Sequence, residues 1–302
     1  MTSFMYVFCL LVWGLNFIAV KIQGTPVSLE ESLSYRLAGA CLLFLALAAK
    51  RGTSLRGAPR DLLFMSLFGL CNFAISYLLL YYATLWSTAA LVTLVFSMKT
   101  GMTPIALSIF LKDRLEPRIL TGGAIGLLGV GTLLYPSLDL GGPQLGGVAL
   151  AFAGTAIAAF GDATSARNAR RGIDAIHANC VGFLVATTFI TLVCLFQGRP
   201  FELSSSPSYL GALLYLVVVA SFFAWLFYLR LVERIGAARS GFMVALFPAV
   251  GGIASVLLGE SEPDLFLILG CLLSSLGAAV ALGIVPTLAS FPRSRQPARL
   301  ID

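Results

Sequence analysis

The stretch Thr88 to Leu111, TAALVTLVFSMKTGMTPIALSIFL, is long enough to cross a bilayer and carries Lys99 at its middle. An ammonium at bilayer depth costs at least ~2.5 kcal/mol, so such a residue faces a protein interior, a partner or a water-filled cavity. Wound at about 100° per residue, the stretch puts Thr93, Ser97, Lys99, Thr100 and Thr103 in one sector of roughly 160°. The chemistry open to Lys99 is that of a counter-charge for a carboxylate or phosphate on a solute, or of one member of a switchable pair with a carboxylate. Its plainer role is a structural lysine, kept neutral by burial or capping a carbonyl at a kink. Snorkelling fails, because about eleven residues, ~16 Å of helix, separate it from either end.

Asp162 is the one acid well inside an apolar run, with Arg167 a little over one turn away. A structural salt bridge to Arg167 is the expectation and proton coupling the alternative. Asn16, and Asn72 with Ser76 one turn later, can hydrogen-bond across helices at about 0.6 kcal/mol each, or to a ligand. Trp13, Tyr77, Tyr81, Trp225 and Tyr228 could wall an organic solute; Tyr81, Tyr82 and Tyr228 fall near run ends, where interfacial anchoring is the expectation, and Trp225 lies deeper. Arg36 opens the second run, as an interface anchor or an entrance residue. His177 stands alone, so no metal site is expected. There is neither a GxxxxGK[ST] loop nor a recognisable Ser/His/Asp or Cys/His set, so no catalytic residue and no cofactor are expected.

These residues need apolar elements to hold them. Hydrophobic residues make up 58%, charged residues 11%, and the mean hydropathy is +0.93, which excludes a soluble domain of this length. Ten apolar runs can be read: 3–20, 32–49, 61–83, 88–111, 118–135, 144–166, 177–196, 208–230, 236–258 and 264–286. Lipid offers the backbone no hydrogen bonds, so each is expected to be a helix, giving an all-α membrane protein of ten transmembrane helices. Gly122, Gly126 and Gly129, and the series Gly251, Ser255, Gly259, are placed for close helix packing. The six cysteines lie in or beside apolar runs without CxxC spacing and read as small buried residues. With no basic residue before the first run, a cleaved signal peptide is not expected.

Sixteen of the 20 basic residues fall in alternate loops and the C-terminal tail, which places both termini in the cytoplasm by the positive-inside rule. The same placement accounts for the net charge of +6 without nucleic acid. The tail, 290–302, is rich in Pro, Ser and Arg and reads as disordered. A shift of 147 residues lays Trp13-Gly14 on Phe160-Gly161, Tyr81 on Tyr228, Ala90 on Ala237 and Asp113 on Glu260. The glycine pair Gly122/Gly129 recurs as Gly270/Gly277. Two halves of five runs follow, 1–136 and 137–289, and an odd number forces the second to be inverted.

WGLNFIAVK (13–21), Tyr35-Arg36 and the acidic-Pro-Gly segments 113–131 and 260–277 resemble the drug/metabolite transporter superfamily, specifically the EamA type, over roughly residues 5–286. The resemblance implies two inverted five-helix halves around a cavity lined by helices 1, 3, 4, 6, 8 and 9. The family often has a proline in the middle of helices 4 and 9; Pro248 keeps the second, while Gly101 stands at the first position with Pro104 three residues on. A displaced break in helix 4, beside Lys99, is therefore expected. The membrane glutamate of the related small multidrug resistance proteins is missing: the first run holds Trp13 and Asn16 and no acid.

The function so implied is a secondary-active or facilitative transporter of the cytoplasmic membrane, exporting small neutral or anionic metabolites such as amino acids by alternating access. Its solute would bind near Lys99, Thr100 and Thr103, with Trp13, Asn16, Asn72, Ser76, Tyr77 and Trp225 shaping the site. The export direction comes from the resemblance alone. The expected partners are a small-molecule substrate and the lipid bilayer, with the protein a monomer or homodimer. A multidrug exporter is the alternative within transport, although an unshielded Lys99 should repel cations; a flippase subunit or membrane scaffold is the alternative outside it. A membrane enzyme comes last.

Overall fold

The computed structural model describes residues 1–23, 26–135, 143–198, 201–257, 259, 262–283 and 285. Among them there is helix and no strand. The helical segments group into ten rods: α1 (Thr2–Gln23), α2 (Leu29–Arg51), α3 (Pro59–Trp86), α4 (Ala89–Leu111), α5 (Pro117–Leu134), α6 (Pro143–Arg170), α7 (Ala175–Phe196), α8 (Pro207–Ile235), α9 and α10 (Leu265–Leu282). The rod α9 comes in three pieces, Ala237–Ser240, the 3₁₀ stretch Gly241–Leu246 and Phe247–Leu257.

Seven of these, α1–α4 and α6–α8, are long and apolar enough to cross a membrane. The expectation of ten spans is thus met in part, because α5, α9 and α10 fall short among the described residues. Polar caps start several rods where the sequence offers them. Ser28 accepts from the Glu31 amide, Thr88 from Leu91, Asp174 from Ile176 and Asp264 from Leu267, satisfying donors that a helix start otherwise leaves bare.

Two irregularities recur at the same place in each half of the chain. A π-helical turn occupies Leu70–Ile75 in α3 and Tyr215–Phe223 in α8, and the shift of 147 carries 70–75 onto 217–222. The second is a break: α4 is interrupted at Met98, and the 3₁₀ stretch of α9 covers residue 245, its counterpart. Each precedes a proline, Pro104 or Pro248, which supplies no N–H and crowds the carbonyl four residues earlier, that of Thr100 or Val244; the α4 break lies two residues before Thr100. The expected displaced break in α4 therefore falls at Met98, beside Lys99.

The small residues let rods touch backbone to backbone. A Cβ added to Gly277 in α10 would sit 2.5 Å from the Gly122 carbonyl oxygen of α5, and one on Gly129 would sit 2.8 Å from that of Gly270. The expected stripe Gly251, Ser255, Gly259 is only partly a packing surface. Gly251 abuts Thr93, the Ser255 side chain lies outside the described residues, and Gly259 is in a turn past the end of α9 at φ +69°, a conformation that suits glycine. Gly14 seats α1 against Val250 of α9, and Gly161 seats α6 against Asn72 of α3, so the leading rod of each half packs into the other half. The repeat partner Glu260 and the tail 290–302 lie outside the described residues.

Candidate transport cavity

Rods α1, α3, α4, α6, α8 and α9 converge, together with α2, on a central cavity. Its polar wall is Asn16, Arg36, Asn72, Ser76 and Lys99. Trp13, Tyr77, Phe96, Trp225, Tyr228 and Phe247 supply much of its aromatic wall. The space open to water centres is about 40 Å³. That is room for about three waters, so a solute of amino-acid size needs the walls to part.

The π turns shape this wall. Widening a helical turn takes a carbonyl out of its usual i+4 bond and frees it for a side chain. Within the α8 turn, Ala220 O accepts from Trp13 Nε1 at 2.9 Å, and the Tyr215 hydroxyl at the start of that turn donates to Val12 O at 2.7 Å. Trp225 Nε1 donates to the Tyr77 hydroxyl at 2.6 Å. The Trp13 and Trp225 rings pack at 5.0 Å between centroids, and both contact Tyr228. These bonds fix ring orientation on both sides of the cavity. In α3, Asn72 lies within the π turn and Ser76 follows it; both are buried, and Asn72 Nδ2 and Ser76 Oγ have no hydrogen-bond partner among the described residues.

Two cations line the cavity, and they differ in charge balance. Lys99 Nζ lies 3.0 Å from Asp162 Oδ1 and 3.0 Å from Oδ2, and Thr103 Oγ1 donates to Oδ2 at 3.1 Å. The pair is 7% and 1% exposed, so in low dielectric the two charges cancel locally. Arg36 is fully buried, yet its partners are neutral. Nε donates to Ser221 Oγ at 2.9 Å, Nη1 to the Tyr81 hydroxyl at 3.3 Å and Nη2 to Asn16 Oδ1 at 3.0 Å, with the guanidinium 4.4 Å above the Tyr77 ring. No carboxylate pairs with Arg36 among the described residues.

A bundle of apolar helices around a partly charged cavity has the form of a transport protein, and comparison with known proteins names the kind. The model of the EamA-like transporter family matches residues 1–135 and 145–283. The chain belongs to that family. It is accordingly a multi-pass membrane protein of a transporter family. One solved crystal structure superposes on this EamA-like chain with a TM-score of 0.69 at 21% identity, over 94% of this chain and 99% of that one. Identity at that level shows the shared fold alone. No curated protein matches the chain.

Of the residues singled out by sequence, the EamA-like fold brings Trp13, Asn16, Asn72, Ser76, Tyr77, Lys99 and Trp225 to the cavity. It does not bring Thr100, which faces a smaller space against the α5 and α10 glycines, or Thr103, which is occupied with Asp162. The expected Asp162–Arg167 bridge is absent. Five residues of helix turn the two side chains about 140° apart, and Arg167 instead meets Asp61 at 2.6 Å. Lys99 is correspondingly shielded rather than bare, so repulsion of cations by Lys99 loses its basis.

Tyr81 and Tyr228, expected at the interface, are buried in the cavity wall, while Tyr82 near the end of α3 donates to Glu30. Arg36 is the largest displacement from expectation. The helix starts at Leu29 rather than Ser32, which carries Arg36 two turns inward to the cavity instead of the interface. The signal was present in Ser28-x-x-Glu31, the pattern of a helix start, here realised through the Ser28 side chain.

The two ends of the EamA-like bundle are tied differently. At the end carrying the basic loops, Arg167 and Arg171 from the end of α6 reach Asp61 at 2.6 Å and 3.7 Å, and Arg170 holds Asp113 with bonds of 3.0 Å and 2.6 Å. At the other end, Lys21 donates to the carbonyls of Thr84 and Ser87, and Gln197 donates to Glu30 at 3.2 Å.

Proposed function

We propose that the protein is a secondary-active or facilitative transporter that exports small neutral or anionic organic solutes, amino acids among them, by alternating access. The observation that carries this reading is the convergence on one cavity of α1, α3 and α4 from the first matched stretch with α6, α8 and α9 from the second. Rocking one half against the other would change both walls and both ends of such a cavity. Trp13, Tyr77 and Trp225 would hold the solute's apolar part, and Asn16, Asn72 and Ser76 its polar groups. The pair Lys99–Asp162, steadied by Thr103 and joining α4 to α6 across the halves, would serve as the switch that coupling protons or solute break. Thr100 would act only through helix packing.

The ten runs are read as ten crossings in two inverted halves, 1–136 and 137–289. The basic loops favour a cytoplasmic membrane with both termini inside. The export direction rests on the family resemblance. A cavity formed within one chain is compatible with either a monomer or a homodimer, and none of the roles assigned here calls for a cofactor or metal.

The test is counterflow in liposomes holding the purified protein alone. Labelled leucine, phenylalanine and glutamate should exchange against the same unlabelled solutes, and Asp162→Asn should alter the response to an imposed proton gradient. Uptake of a cationic dye with no amino-acid exchange would instead establish the multidrug reading. No flux of either kind would favour the scaffold.

A further inference from the structure

Arg36 has a feature that helix packing does not account for. Buried guanidinium groups are ordinarily balanced by a carboxylate, because removing a charge from water is costly unless an opposite charge or a full set of hydrogen bonds replaces it. Here three of its N–H groups reach a serine, a tyrosine and an asparagine, all neutral, and the face of Tyr77 adds a cation–π contact. A guanidinium has five N–H donors, so two are left over. They belong to a residue in the wall of the central cavity, where Asn72 Nδ2 and Ser76 Oγ, one helical turn apart, also have no partner among the described residues. Lys99 contributes no net charge, because Asp162 balances it.

We propose that Arg36 binds the carboxylate of the transported solute, and that the solute is a small carboxylic acid with an apolar or aromatic remainder. The argument rests on the transporter reading above and adds the substrate class to it. One uncompensated positive charge matches a carboxylate; a phosphate would bring close to two negative charges and would leave one without a partner. The fork of the guanidinium suits two parallel bonds to a planar carboxylate. Trp13, Trp225, Phe96 and Phe247 in the rest of the wall favour an apolar side group over a polar one. An α-amino group, where present, has the hydroxyl of Ser76 as an acceptor. Arg36 bonds to α1, α3 and α8 at once, so an anion bound to it is coupled to rods of both halves.

The experiment compares acids with their amides on the purified full chain. L-phenylalanine, L-leucine and 3-phenylpropionate are each titrated against L-phenylalaninamide, L-leucinamide and 3-phenylpropionamide, reading the melting temperature, which a native-state ligand raises by mass action. The acids should bind wild type roughly 10- to 100-fold more tightly than the amides, the range expected of a hydrogen bond to a charged group. Arg36→Gln should abolish that preference, and Arg36→Lys should keep part of it, since the charge remains and the fork is lost. Equal stabilisation by acid and amide, or no stabilisation of wild type by any acid, overturns the proposal without need of a variant that folds. So does a folded Arg36→Gln protein that retains the preference. Counterflow separates the two readings: acid binding without flux removes the transporter and keeps the carboxylate site, while undiminished acid flux in Arg36→Gln removes the site and keeps the transporter.

Discussion

Replacing Lys99 by methionine preserves length and removes one half of a buried pair. Asp162, 1% exposed, would keep the bond from the Thr103 hydroxyl but lose its counter-charge. Breaking a buried ion pair from one side costs about 3–5 kcal/mol, because the orphaned charge keeps its desolvation penalty. At about 2–4 °C per kcal/mol, the figure for chains somewhat shorter than this one, Lys99→Met should melt roughly 6–20 °C below wild type. Asp162→Asn should cost less, since a lysine chain can redirect its ammonium toward the ring of Phe96, 5.4 Å away. The double variant Lys99→Met/Asp162→Asn removes both charges and should recover most of the loss. The assay is a four-corner cycle of reversible denaturation in one detergent. A coupling energy under about 0.5 kcal/mol, the scatter of independent sites, would refute the idea that this pair is a single electrostatic unit.

Other expectations follow from the packing and the ends of the bundle. Gly277→Ala should destabilise the α5–α10 contact by about 1–3 kcal/mol, since its Cβ meets the Gly122 carbonyl at 2.5 Å; an unshifted melting curve would count against that crossing. Trp13→Phe keeps an aromatic side chain but loses the bond to Ala220 O and part of the indole's volume, which should lower stability by at least about 1 kcal/mol and leave the far-ultraviolet spectrum unchanged. Asp61→Asn releases Arg167 and Arg171 together and should make a cysteine placed near Ala169 more reactive toward a water-soluble thiol reagent; unchanged labelling rates would deny these pairs a closing role. Arg170→Gln, at a more exposed pair, should change stability by no more than about 1 kcal/mol.

Much of the scaffold was legible in local sequence. An apolar run is a local fact; the caps Thr88, Asp174 and Asp264 that start three of the rods emerge from the structure. The close glycines at 122, 129, 270 and 277 were legible through their repetition. What was not legible depends on which rods meet. Asp162 and Lys99 are 63 positions apart, and nothing near either residue says that α4 and α6 face each other at that height. The nearer candidate, Arg167, lost because helical geometry turns it away. Arg36 was misplaced by a boundary error of three residues, enough at 1.5 Å each to turn an interior residue into an interfacial one. The π turns left no mark in composition, since bond register depends on backbone geometry as well as residue type.

Those π turns bear on how such a bundle could move without melting. Each places more residues along its axis than an α-helix would need for the same length. If such a turn migrated along its rod, every residue it passed would swing by about 100° while the bonds on either side stayed intact. Asn72 in α3 and Ser221 in α8 sit within the two widened turns, so each can be rotated toward or away from the cavity by a local change of register. A change of register at these two turns would turn the lining with the loops at both ends held still.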